Sequence, residues 1–124
     1  MLRIVLATTR PDVFHSFTDA LQSDPSVQLD VVGSGAVTLD AVRTSPPHLV
    51  VIDHDLPDTD PFRLVQKLLM ANAMVNTAVV SSLSEEDFHG ASEGLGILCS
   101  LPVELGGSDA GELLAKLKKL QISL

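Results

Sequence analysis

One segment carries the densest set of side chains able to do chemistry. It reads VVIDHDLPDTDPF and places Asp53, Asp55, Asp58 and Asp60 within eight residues. Carboxylates at this density could hold a cation. A calcium loop of the EF-hand type is excluded, because counting from Asp53 its required Gly and Glu positions hold Asp58 and Leu64.

Not every polar side chain of this segment is expected to bind a ligand. Asp58 and Asp60 lie between Pro57 and Pro61, and Asp and Pro are frequent in turns because of their backbone geometry. We interpret both aspartates as turn residues. His54 has no second histidine or cysteine at metal-ligand spacing, so we expect it to face the solvent.

The elements around the segment alternate between short apolar runs and helical periodicity. The predicted strands are 2–7, 27–32, 48–52, 78–80 and 95–99, and the predicted helices are 12–21, 36–43, 62–69, 84–93 and 108–120. Strict alternation predicts an α/β fold: a five-stranded parallel sheet with helices on both faces, (βα)5 and doubly wound. The functional cleft of such a fold lies at the carboxyl ends of the strands, where Asp53 falls.

Composition limits the class of partner. The 124 residues are 45% hydrophobic and 19% charged, which predicts one folded domain over 1–124. A net charge of -8 and only four aromatic residues, all Phe, disfavour a direct nucleic-acid binder. The single cysteine, Cys99, excludes an internal disulfide, and no apolar run is long enough to cross a membrane. We expect a cytoplasmic protein, with Cys99 in the core.

The chain resembles bacterial response regulator receiver domains of the chemotaxis type over essentially its whole length, with their flavodoxin-like fold. In that family an Asp after the third strand is followed by two residues, an apolar residue and Pro, as in Asp53 to Pro57 here. The resemblance makes Asp53 the phosphoacceptor. It also matches Ser81 to the hydroxyl residue after the fourth strand, Ser82 to its small neighbour, and Gly94 and Pro102 to residues flanking the fifth strand.

Departures from the family pattern fall on the positions that hold the phosphoryl group and its metal. Thr8 and Thr9 stand where the family has two acidic residues that bind Mg²⁺, and Leu101 stands where it has a lysine. Leu98 replaces the aromatic switch residue, and Pro61 replaces a glycine. The chain is therefore interpreted as a degenerate receiver. A cis peptide bond between Leu101 and Pro102 is a further expectation from the resemblance.

These departures predict no resident cofactor and at most weak Mg²⁺ binding, to which the backbone carbonyl of Asp55 adds only a dipole. Asp53 then either hydrogen-bonds Thr8, Thr9 or Ser81 or is still phosphorylated. We predict a phosphorylation-independent protein-interaction module in two-component-type signalling, with a receiver switched by phosphorylation of Asp53 as the alternative. An enzyme is not expected, since no nucleophile with an adjacent general base can be assembled.

The resemblance implies a protein partner, a histidine kinase or another signalling protein, or a second copy bound through the fourth helix, fifth strand and fifth helix. Lys116, Lys118 and Lys119 against the acidic helix 84–93 could support a symmetric contact, although solvated helix faces explain the same pattern.

Two other ligand classes share this fold and fit less well. A cobalamin module lacks its ligand histidine after the first strand. A mononucleotide site lacks glycine in the loop ATTRPD.

Overall fold

The computed structural model describes residues 2–122, with the backbone alone for 121 and 122. Five parallel strands form one sheet in the order β2-β1-β3-β4-β5. They are β1 (Leu2–Ala7), β2 (Val27–Val32), β3 (Leu49–Ile52), β4 (Asn76–Val80) and β5 (Cys99–Leu101). The strand order reverses between β1 and β3, so the loops that follow these two strands diverge and leave a cleft between them.

Helices cover both faces of the sheet, as the alternation predicts. They are α1 (His15–Gln22), which follows a 3-10 turn over Pro11–Phe14, α2 (Gly35–Thr44), α3 (Pro61–Ala71), α4 (Glu85–Ser92) and α5 (Gly107–Ile122). The buried side chains form two apolar clusters, one joining α1 and α5 to the sheet and the other joining α2 and α3 to its opposite face. Phe88 of α4 packs against the second cluster. The predicted fold class is confirmed.

Aromatic pairs reinforce each face. Phe14 and Phe17 are fully buried and meet edge to face with their ring centroids 6.2 Å apart, beneath α1. On the other face Phe62 of α3 and Phe88 of α4 lie 5.4 Å apart. This second pair is only partly buried, and no residue of α4 is fully buried. The α4 side of the molecule therefore packs less tightly than the α1 and α5 side.

The fifth strand lies later in the chain than its apolar run predicts. Gly94 and Gly96 have φ values of 81° and 62°, which place residues 94–96 in a turn that a strand cannot contain. Leu95 is still buried, but in a turn, with its N–H donated to the Ser92 carbonyl. Burial of these apolar side chains was correctly predicted, and their strand geometry was wrong.

Two smaller expectations at this strand are corrected. The peptide bond between Leu101 and Pro102 is trans. Cys99 is partly rather than fully buried, because β5 is an edge strand with one side unpaired. Burial is still sufficient to raise the pKa of its thiol.

Substitution of Asp60 tests how α3 is started. An Asp60 carboxylate oxygen accepts hydrogen bonds from the Phe62 and Arg63 N–H groups at 2.9 and 3.3 Å, and Pro61 occupies the first helical position. Asp60→Ala is expected to lower the free energy of unfolding by about 1 kcal/mol in urea denaturation. Asp60→Asn keeps a capping oxygen and should recover most of this loss. Equal stabilities of the Ala and Asn variants would contradict the capping role.

Candidate functional site

The candidate site lies where β1 and β3 end side by side. Ala7 pairs with Ile52 in the sheet, and the Asp53 N–H donates to the Ala7 carbonyl at 2.9 Å, which extends the pairing by one residue. The side chain of Asp53 is fully buried, and Thr8 is 2% exposed. A carboxylate is thus placed inside the protein at the carboxyl edge of the sheet, where its charge requires partners.

The partner of that charge is Arg10. Its Nε donates to one carboxylate oxygen of Asp53 at 2.8 Å and its Nη2 donates to the other at 2.9 Å, a bidentate pair. The Thr8 hydroxyl donates to Asp53 at 2.7 Å and accepts from the Arg10 N–H at 3.0 Å. Thr8 therefore links the carboxylate to the backbone of the residue that neutralises it.

Local sequence explains why the Arg10 side chain reaches the site. Pro11 disfavours helical geometry at the residue before it, and Arg10 has a φ of -132° and a ψ of 63°. The chain then turns at once into the 3-10 segment, so the arginine stays in the loop above the sheet. Its guanidinium lies 5.4 Å from the ring centroid of Phe14, a cation–π contact with a buried residue. The packing of Phe14 thus helps to fix the guanidinium.

His54 also contacts the carboxylate, which corrects the expectation that it simply faces the solvent. Its N–H donates to Asp53 at 2.8 Å, and its ring Nδ1 lies 3.0 Å from the same oxygen and 3.3 Å from Nη2 of Arg10. The imidazole is 37% exposed. It forms the outer wall of the site, between the ion pair and the solvent.

Two opposing effects set the pKa of Asp53. Burial raises the pKa, and hydrogen bonds from Arg10, Thr8 and His54 lower it by more, so the net shift is downward from the ordinary value of 3.8. The pKa of Arg10 is raised, chiefly by its hydrogen bond to Asp53. The site is therefore an ionised carboxylate–guanidinium pair at neutral pH. Its contribution to stability is present above the ordinary Asp pKa and is lost as the pH falls through the lowered value.

The other side chains singled out by the resemblance do not join this hydrogen-bond network. Thr9 is exposed, and its hydroxyl donates to the Asp55 carbonyl at 3.4 Å. The Ser81 hydroxyl accepts from the Leu83 N–H at 3.0 Å, within its own loop, and Ser82 is exposed. Of the three hydroxyl partners anticipated for Asp53, only Thr8 is used.

Leu101 belongs to the apolar interior. Its side chain is 6% exposed and packs in the cluster beneath α1 and α5. The position that matches the family's lysine therefore contributes to the core and supplies no charge to the cleft.

Two further aspartates of the loop, Asp58 and Asp60, contact the amino ends of helices. The two carboxylate oxygens of Asp58 accept from the Gly35 and Ala36 N–H groups at 2.8 and 3.0 Å, which lowers the Asp58 pKa and closes the amino end of α2. Asp60 starts α3. Their interpretation as turn residues agrees with these contacts. Within residues 2–122, no three His, Cys, Asp or Glu side chains are grouped as a metal site would require.

The donor set around Asp53 does not fit a Mg²⁺ ion. Mg²⁺ needs carboxylate oxygens free to coordinate in octahedral geometry, and both oxygens of Asp53 already accept hydrogen bonds from a fixed cation. Thr8, at one of the two acidic positions of the family, is itself a donor to the carboxylate.

Sequence reasoning missed Arg10. A usable signal was present, since a buried Asp at the end of one strand needs a cation, and Arg10 is the only basic residue in the loop after the neighbouring strand. The family comparison drew attention to positions 8 and 9, where acidic residues were missing, rather than to the charge gained at position 10.

Comparisons with known proteins agree with the fold. The chain is 29% identical over 83 residues to the Fimbriae Z protein of Escherichia coli K12, a match to 66% of this chain and 40% of that protein. It is 26% identical over 87 residues to a protein-glutamate methylesterase/protein-glutamine glutaminase of Methanospirillum hungatei, 69% of this chain and 25% of that one. The matches thus span less than half of either relative.

Structural similarity extends over the whole chain. A CheY-like response regulator receiver domain protein from Methanospirillum hungatei superposes with a TM-score of 0.85 at 14% identity, covering 100% of this chain and 99% of the other. No family model matches the sequence. The superposition confirms the resemblance to receiver domains at the level of the fold. None of the helices within residues 2–122 has the length and apolar character needed to cross a membrane.

Removal of Arg10 tests the ion pair. Arg10→Met leaves the buried Asp53 without its counter-charge, which is expected to lower the free energy of unfolding at pH 7 by about 3 to 5 kcal/mol. We expect burial, the largest single influence on this group, to outweigh the remaining hydrogen bonds from Thr8 and His54 and to raise the pKa of Asp53 in the variant, so that its folded state takes up a proton on acidification. The deficit against the wild type should shrink between pH 7 and about pH 5.

Urea denaturation at both pH values measures this effect. Arg63→Met removes an exposed arginine with no carboxylate partner among the residues described and should change stability by less than about 0.5 kcal/mol at either pH. A deficit for Arg10→Met that stays constant with pH would argue against a buried pair.

Proposed function

We propose that this chain is an atypical receiver domain that acts in two-component-type signal transduction as a protein-interaction module, without phosphorylation of Asp53. The observation that supports the proposal is the bidentate pair between Arg10 and Asp53. It gives the carboxylate a permanent counter-charge from within the chain. In this proposal the shape of the domain does not depend on a phosphoryl group.

Phosphoryl transfer to a carboxylate needs a free oxygen and cations placed around the incoming group. To free an oxygen of Asp53, Arg10 must give up a charge-assisted hydrogen bond that lies largely out of the solvent. Breaking such a buried pair costs about 3 kcal/mol or more, which corresponds to roughly a hundredfold loss in the population able to react. The position that matches the family's lysine holds the buried Leu101, so no second cation is present there to stabilise a phosphoryl group.

A receiver switched by phosphorylation of Asp53 is the second candidate, and one observation favours it. The Arg10 side chain is 27% exposed, so its guanidinium has room to move outward. An arginine can hold a phosphoryl group in the same bidentate geometry as a carboxylate. In this alternative Arg10 would shift from the carboxylate to the phosphoryl oxygens and take over the task of the absent lysine.

The proposed partner is a histidine kinase or another signalling protein, or a second copy of the chain, bound through α4, β5 and α5. The exposed first turn of α4 carries Glu85, Glu86 and Asp87, and β5 is an edge strand. Lys118 of the basic cluster on α5 forms an ion pair with Asp24 of its own chain. A symmetric contact between two copies that uses Lys116, Lys118 and Lys119 would have to break this ion pair. A different signalling protein is therefore favoured over a second copy.

The proposal includes no catalytic activity, no resident cofactor, no direct nucleic-acid partner and a cytoplasmic location. The methylesterase relative does not argue for an enzyme, since the match covers 25% of its length. The positive charge of the candidate site comes from Arg10. Unlike a catalytic metal ion, a guanidinium provides neither a bound hydroxide nor an open coordination position.

An amide NMR titration with Mg²⁺ and then beryllofluoride, a mimic of the aspartyl phosphate, tests the proposal. For the wild type we expect no saturable shifts at Asp53 or Ser81 at millimolar Mg²⁺, because both carboxylate oxygens are occupied. Saturable shifts that disappear in Asp53→Asn would support the phosphorylated alternative and reject the proposal.

A variant that restores carboxylates provides the positive control. Thr8→Asp with Thr9→Asp and Arg10→Ala removes the internal cation and supplies two acidic side chains beside Asp53. Its stability should rise with Mg²⁺, by about 1.4 kcal/mol at ten times the dissociation constant, and wild-type stability should not. Adding Asp53→Asn to this variant should abolish most of the gain. If the stability of the triple variant does not change with Mg²⁺, features other than Arg10 must prevent metal binding.

A further inference from the structure

A second surface feature lies away from the Asp53 site, between α2 and α3. Two adjoining depressions share Leu39 and Lys67 and form one groove along the seam of the two helices. The larger part has a volume of about 560 Å³ and is lined by Leu39, Arg43, Lys67, Met70 and Ala71. The smaller part, of about 120 Å³, extends toward Asp58 at the amino ends of the helices.

The larger part combines an apolar floor with positive charge only. Arg43 and Lys67 are its charged residues, and neither side chain forms an ion pair with another of the residues described. The positive charge of Lys67 contributes to the lowered pKa of the nearby Asp58. The carboxylate oxygens of Asp58 accept hydrogen bonds from N–H groups in the first turn of α2. In a chain with a net charge of -8, two cations beside an apolar floor are a local reversal of charge.

Exposed methionine marks the same end of the groove. Met70 lines it and is 88% exposed, and Met74, in the turn after α3, is 80% exposed. Methionine is flexible and polarizable, and it is common on surfaces that bind a partner helix. An isolated surface methionine needs no explanation, but one placed on the wall of a cationic groove supplies the apolar contact that a bound helix requires.

We propose that the α2–α3 groove binds an acidic amphipathic helix of a partner protein. The apolar face of that helix packs on Leu39 and Met70, and its carboxylates lie opposite Arg43 and Lys67. This inference goes beyond the proposed function, because it concerns a surface formed by different elements from α4, β5 and α5. It holds whether or not Asp53 is phosphorylated.

Two other occupants fit less well. A membrane with anionic headgroups would attract the two cations but repel a chain of net charge -8, and its surface does not fill a concave seam. A second copy could offer the acidic first turn of its α4. That turn lies at the carboxyl edge of the sheet, whereas Arg43 and Met70 lie in the last turns of α2 and α3, at the opposite edge.

The mismatch with a second copy holds for a dimer whose two-fold axis runs along the strands. A two-fold axis along the strands would place α4 of one copy over the groove of the other and keep both amino ends at the same edge. Glu85 and Glu86 would then face the Asp58 end of the groove rather than its cationic end. A closed dimer of this kind sets like charges against each other.

The test uses a synthetic helical peptide of about four turns, with leucines along one face and glutamates flanking them, and a matched peptide with lysines in place of the glutamates. Amide NMR of the full chain is expected to show saturable shifts for the glutamate peptide at Leu39, Arg43, Lys67 and Met70. Binding should weaken with salt. The lysine peptide should not bind.

Charge reversal provides the matched control. Arg43→Glu with Lys67→Glu should weaken binding of the glutamate peptide roughly tenfold or more and allow the lysine peptide to bind. Arg63→Glu with Lys116→Glu changes the net charge equally at exposed sites outside the groove and should leave its affinity within about twofold. All four positions are exposed, and melting curves confirm that the variants fold.

Several outcomes would overturn the proposal. These are the absence of groove shifts at millimolar peptide, equal binding of the two peptides, or shifts located elsewhere. Binding to phosphatidylglycerol vesicles that depends on Arg43 and Lys67, without peptide binding, would assign the groove to lipid. A concentration-dependent mass in sedimentation that Arg43→Glu with Lys67→Glu abolishes, without peptide binding, would assign it to a second copy.

Discussion

The ion pair between Arg10 and Asp53 is the constraint on which the candidate site depends. An aspartate at the end of a central strand is withdrawn from the solvent by the sheet and the loops above it, and its charge cannot remain there unpaired. The chain meets this requirement with a guanidinium from the loop after the adjacent strand. Thr8, His54 and the stacking of Arg10 over Phe14 all serve the geometry of that pair.

A cation from the chain differs from a bound metal in one physical respect. A metal exchanges with the solvent, so its presence depends on concentration and on what else binds beside it. A guanidinium on a short loop is always present at high effective concentration. The environment of Asp53 is therefore set by folding alone, and the resting state of the site is built into the sequence. A counter-charge supplied by the chain itself is the feature on which the proposed phosphorylation-independent role rests.

The sequence predicted the fold because the signals for it are local. Apolar runs and helical periodicity mark the strands and helices. Ser84, the first residue of the predicted helix 84–93, caps α4 by accepting from the Asp87 N–H at 3.2 Å. The place of Asp53 in the cleft could be predicted because it directly follows a buried strand of the sheet. Arg10 was missed because its partner lies 43 residues away and only the pairing of β1 with β3 joins them. The start of β5 was misplaced because an apolar residue such as Leu95 is buried equally well in a turn and in a strand, so its burial does not distinguish the two.

Scarcity of positive charge makes the position of each cation informative. The chain has eight Lys and Arg residues against 16 Asp and Glu, so acidic side chains outnumber basic ones two to one. Arg3, Arg10 and Lys118 have acidic partners in Asp30, Asp53 and Asp24. Arg43 and Lys67 share a groove, and the neighbouring Asp58 is held by the amino end of α2. Because Asp58 is fixed by that helix, the positive charge at the other end of the groove remains available to a carboxylate from outside the chain.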